Sequence, residues 1–150
     1  MQGRDINWCQ FIIEDEKALS GQSVQDFVTP IIEKLKTKLV VACDLQGAIS
    51  GLRGCEGVPL SKDDFLQKVV RAIQYDWAFF FLYGQDRMLK PVVCSNVDSA
   101  IMDADLTIRL VDDTYFYVYG HRKNITENLF EKYEGFKYKI CSFDELDIPY

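Results

Sequence analysis

The sequence predicts an α+β fold, a mixed, largely antiparallel sheet of five or six strands with helices mainly on one face. Three observations carry that expectation. Apolar residues recur at period two, or as short unbroken runs, in some segments and at period 3.6 in others, giving the order β-α-β-α-β-α-β-β-α-β. Two of the β segments, 105–111 and 115–119, are joined by the tight turn Asp112-Asp113-Thr114 and so form a hairpin. Nothing in the 150 residues looks like a linker or a repeat, so residues 1–150 are expected to make one domain of ordinary size.

The first strand is expected over Asp5–Ile13, closed by the acidic turn Glu14-Asp15-Glu16. Ser23, with Asp26 three residues on, is expected to open a helix whose apolar face is Val24, Phe27, Val28, Ile31, Ile32 and Leu35. Pro30 inside that pattern predicts a kink, or a later start. Leu39–Asp44 reads as a buried strand followed by a long loop, Leu45–Leu60, with Gly47, Gly51, Gly54 and Gly57. Ser61 caps a second helix with Asp64 at its third position, and Phe65, Leu66, Val69, Val70 and Ile73 form its apolar face.

Asp76–Tyr83 is apolar on both faces and reads as a central strand. Val92–Cys94 is expected to add a short strand, and Val97–Asp103 a small helix capped by Ser95 or Asn96. After the hairpin come a last helix over Thr126–Tyr133, a strand over Phe136–Cys141 and a solvated acidic tail, Ser142–Tyr150.

Composition narrows the function. Net charge is −6, so a phosphate backbone or an anionic membrane is disfavoured as a partner, and a basic protein is suited. No secretory signal is evident at the start, and no apolar run approaches the roughly 20 residues of a membrane span, so a soluble, cytoplasmic protein is expected. The five cysteines lack any Cys-x-x-Cys spacing and lie mostly in apolar runs, which predicts reduced, buried thiols. With one histidine, a zinc site is not expected, and no cofactor is implied.

Catalytic patterns are weak. The glycines of 47–57 follow a buried strand, where a phosphate could sit, but their spacing matches neither a dinucleotide fingerprint nor a P-loop. His121 has no partner in the sequence that would orient it as a base. Asp112-Asp113 and Asp63-Asp64 could bind a cation, but turn geometry and helix capping already explain them. Asp44, closing a buried strand beside the glycine-spaced loop, is the best single candidate if a ligand site exists. The alternative to a binding protein is therefore an enzyme or small-ligand binder using loop 45–60 with Asp44 and His121.

The hairpin is the most unusual segment. Tyr115, Tyr117 and Tyr119 alternate with Phe116 and Val118, so the apolar pair faces the core and the tyrosines face solvent, a covering loop or a partner. Tyrosine supplies contact area at low entropic cost. We therefore take Asp112, Asp113, Tyr115, Tyr117 and Tyr119, with Asp44 and Glu56, as partner-binding candidates. A homo-oligomer joined through the tyrosines is a further option.

The stretch Ala104–Gly120, ADLTIRLVDDTYFYVYG, followed by a short helical segment and a last strand, resembles the C-terminal part of small bacterial immunity-type proteins. The resemblance covers about the last third of the chain. It implies a cytosolic, non-enzymatic α+β domain that neutralises a cognate toxin, in some cases a basic nuclease, by binding it.

Overall fold

The computed structural model describes residues 6–84, 94–125, 127–133 and 135–150. Its frame is a seven-stranded sheet with three helices. The strands are β1 (Trp8–Glu14), β2 (Leu39–Ile49), β3 (Leu60–Ser61), β4 (Ala72–Tyr83), β5 (Leu106–Val111), β6 (Tyr115–His121) and β7 (Lys137–Cys141), and the helices are α1 (Gly21–Leu35), α2 (Lys62–Val69) and α3 (Val97–Asp103). Strand order is β3-β2-β4-β5-β6-β1-β7, and every pairing is antiparallel. The fold is thus α+β as expected, with more strands than the five or six expected and no parallel pair among those described.

The two longer helices, α1 and α2, pack on one face and the short α3 on the other, so the helices lie mainly on one face as expected. Alternation along the central strands explains it. Val40, Ala42, Phe80, Leu82, Ile108, Leu110, Phe116 and Val118 point to one face and meet Val24, Phe27, Val28, Ile31 and Ile32 of α1 and Phe65 and Val69 of α2. Val41, Cys43, Phe79, Phe81 and Tyr119 point to the other and meet Ala100 and Ile101 of α3 and Leu146 of the tail. A strand apolar on both sides needs cover on both sides, and each fully buried Phe or Leu contributes roughly 1.5–3 kcal/mol.

Several boundaries move for local reasons. Helix α1 starts at Gly21, because Ser20 is the cap and exchanges hydrogen bonds with Ser23 in a reciprocal capping box. Gly21 is required there, since a Cβ would lie 2.0 Å from the Val70 carbonyl oxygen. The helix runs on through Pro30 to Leu35. Helix α2 keeps the expected Ser61 cap, with Asp64 N–H donating to the Ser61 hydroxyl.

Strand β4 begins at Ala72, so Ile73, assigned from periodicity to the face of α2, is an exposed strand residue (83%). The last helix is a 3-10 turn, Glu127–Phe130. The expected start of the first strand (Asp5) and most of Val92–Cys94 fall outside the described residues, and Cys94 itself lies in a turn.

The largest correction concerns Leu45–Leu60. Strand β2 continues to Ile49 through irregular pairing with β4, so the first third of the supposed loop belongs to the sheet. Gly47 permits this, with φ at 130° and no room for a Cβ, which would lie 2.5 Å from the Gln74 carbonyl oxygen. The remaining segment covers the outer edge of β2. Gly57 N–H donates to Ala42 O (2.8 Å), and Arg53 donates to Gly47 O (3.0 Å) and Ile49 O (3.1 Å). The glycine spacing serves a sheet edge.

Candidate functional site

One end of the sheet gathers the acidic residues. The β5–β6 turn places Asp112 and Asp113 in consecutive left-handed conformations, φ 52° and 51°, which suits aspartate in a tight hairpin. Backbone bonds then tie the neighbouring segments to this turn. Asp113 N–H donates to Asp76 O (3.0 Å), Asp15 N–H to Thr114 O (2.8 Å) and Leu19 N–H to Asp113 O (2.8 Å). Glu14, Asp15 and Glu16, Asp76, and Asp112 and Asp113 therefore share one rim. Asp113 is partly committed, accepting from the Thr114 hydroxyl (2.9 Å) and the Gln74 amide (3.3 Å).

Below that rim, on the face that carries α3, lie the hairpin tyrosines. Their burial is graded. Tyr115 and Tyr117 are half-buried, and Tyr119 is fully buried. The three rings follow one another at 6.3 and 6.5 Å between centroids. The grading comes from the tail, which docks instead of standing in solvent as expected. Tyr119 donates its hydroxyl hydrogen bond to Asp147 O, Gln10 exchanges two bonds with Asp147 (2.9 and 2.7 Å), and Lys139 donates to Glu145 O (2.7 Å). Leu146 is buried beneath. The tail covers Tyr119 and leaves Tyr117, Tyr115 and the half-buried Trp77 of β4 at the surface.

Arg109 forms the floor of this patch and was not singled out from the sequence. Its guanidinium lies 3.9 Å above the Phe79 ring centre and 4.8 Å from that of Trp77. Its Nε donates to Pro149 O (3.0 Å), and Nη1 lies 2.9 Å from Asp44 Oδ2, yet neither Nη makes an aligned hydrogen bond among the described residues. Burial lowers its pKa, and Asp44 acts in the opposite direction. Asp44 has φ 51° at the β2 irregularity, and its carboxylate lies on the same face as Arg109. An arginine inside an alternating strand gives little sign of its partner, which here lies two strands away.

Other candidates do not join the patch. Glu56 is exposed on the loop beyond β2, at least three strand spacings (roughly 14 Å) from β6. His121 closes β6 with its ring 4.2 Å from that of Trp8 and tilted 35° to it, so it is a strand residue packed on an aromatic neighbour. It lies four residues along β6 from Tyr117, the residue in register with Arg109, and three strands from Asp44. That puts Asp44 and His121 roughly 20 Å apart.

Two further findings bear on setting. Cys43 and Cys94 are joined in a disulfide across 51 residues, against the expectation of reduced thiols, while Cys9, Cys55 and Cys141 are free. The pairing has no short-range signature because the fold alone brings β2 to the turn before α3. Among the described residues no helix is long and apolar enough to cross a membrane. No protein-family model, no curated protein and no solved structure matches the chain.

Proposed function

We propose that this chain is a non-enzymatic binding protein, a bacterial immunity protein that occludes a cognate basic, nuclease-type toxin. The observation that carries the reading is the half-buried aromatic patch of Trp77, Tyr115 and Tyr117 set against a rim of aspartates and glutamates. Aromatic anchors with arginine beneath them are what the centres of protein interfaces are built from, and acidic rims speed encounter with a basic partner. The same charge argues against nucleic acid or an anionic membrane as the target. The alternative, a small-ligand or catalytic site on loop 45–60, draws less support, because the loop is occupied with the β2 edge and Asp44 and His121 do not converge.

The test is co-expression with the product of the adjacent reading frame in the source genome. Protection of cells and a tight purified complex are expected, and truncating Tyr117 or Trp77 to Ala should weaken binding by about 2 kcal/mol or more. Turnover of a metabolite, abolished by Asp44→Ala, would overturn the reading. The cytoplasmic setting belongs to this proposal, and the redox state of Cys43–Cys94 in cells bears on it.

A further inference from the structure

A cleft of about 530 Å³ lies at the same acidic end, on the face opposite the tyrosine patch. Its floor is aromatic. Phe27 of α1 stacks on Phe116 of β6 at 3.8 Å and 9°, and Tyr133 stands 5.5 Å from Phe27. Its walls carry the carboxylates of Glu14, Asp15, Glu16 and Asp26 against the ammonium groups of Lys17 and Lys132. We infer that this cleft seats an arginine side chain of the protein partner, an inference that rests on the binding-protein reading.

Three features select that occupant. The excess of carboxylates repels an anion and attracts a cation. The chain already sets a cation here, with the Lys132 ammonium 5.1 Å from the centre of the Tyr133 ring, so this wall takes a cation–π partner that an incoming guanidinium would replace. Asp15 Oδ1 accepts from Lys17 N–H and Asp26 Oδ1 from the Gln22 amide, so each carboxylate keeps its second oxygen out of those bonds. Burial, and then the nearby charges of Asp15 and Asp26, push the Tyr133 hydroxyl up to about 12, so both carboxylates act on that ring. Guanidinium fits better than ammonium, because a planar fork stacks on the half-buried Tyr133 while bonding a carboxylate in its plane.

The experiment is an NMR titration of the full chain with Nα-acetyl-arginine methylamide, with the neutral citrulline and the lysine analogues in parallel. Expected are saturable shifts confined to 14–17, the first turns of α1 and Tyr133, with millimolar affinity, weaker binding of lysine and none of citrulline. Asp26→Asn and Asp15→Asn should each weaken arginine binding at least fivefold while leaving the amide spectrum otherwise folded. Equal shifts with citrulline, equal affinity for lysine, or no saturation would overturn the inference. Because no partner is needed, that failure leaves the occlusion proposal standing, and failure of the cell-protection test leaves the cleft result standing.

Discussion

Arg109 and Asp44 face each other across β4 with opposite exposure, the guanidinium side chain at 0% and the carboxylate side chain at 37%, 2.9 Å apart. The arginine reaches its partner over the Phe79 ring. A buried cation stabilises little by itself, but removing its carboxylate partner leaves the desolvation uncompensated. Asp44→Ala should therefore cost about 2–3 kcal/mol, somewhat less than a fully buried pair because water reaches the carboxylate side. In an Arg109→Met background the same change should be nearly neutral. A double-mutant cycle by urea denaturation measures this, and additive effects would show that the two groups do not interact.

The Cys43–Cys94 bond closes a long loop between β2 and the turn before α3. Its loss in Cys94→Ser should lower stability by about 2–4 kcal/mol, chiefly by releasing the unfolded chain. Thiol trapping in intact cells followed by mass spectrometry should find the pair oxidised in an oxidising compartment and reduced in the cytosol. Reduced thiols in vivo with unchanged stability of the Ser variant would mean that the bond does not contribute to the working protein.

Tyr75 and Tyr119 are both fully buried, and burial raises both phenols above their ordinary value of 10.0. Tyr75 donates to Val69 O (2.6 Å) and Tyr119 to Asp147 O, bonds that need the protonated form. Below pH about 10 both states hold the proton and the contribution is intact. As pH rises further, the unfolded chain releases protons that the folded chain retains, so stability falls. Phenolate absorbance should show these two tyrosines ionising together with unfolding, and Tyr119→Phe should loosen the tail in hydrogen exchange.

These elements also show what local pattern could and could not supply. The alternation Tyr115-Phe116-Tyr117-Val118-Tyr119 placed the hairpin correctly, with Phe116 and Val118 in the core, because strand period is a local property. The Ser61 cap of α2 was legible for the same reason. Gly47 reads in the sequence as loop chemistry, although its φ of 130° serves an irregular strand, because a glycine looks alike in both settings. The docked tail, the Arg109–Asp44 pair and the disulfide all join segments at least 51 residues apart or cross between strands. Spacing carries no trace of such contacts. The patch was therefore half visible, with its tyrosines read from the sequence and Trp77, Arg109 and the covering tail supplied by the fold.

The outer edge of β2 gives the last test. Strand β3 pairs only Leu39 and Val40, so the rest of that edge depends on the glycine-containing loop. Arg53 supplies two donors, Nε to Ile49 O and Nη2 to Gly47 O. Each such bond contributes only about 1 kcal/mol, so Arg53→Ala should shift the urea midpoint modestly. Its larger effect should be on association, because two freed carbonyls on an edge strand invite another strand to pair. Light scattering of Arg53→Ala should rise with protein concentration, under conditions where circular dichroism still reports a folded chain. Arg53→Lys, whose single ammonium lacks the fork geometry, should fall between the two. If Arg53→Ala stays monomeric at every concentration while folded, loop 50–59 is not what guards the edge.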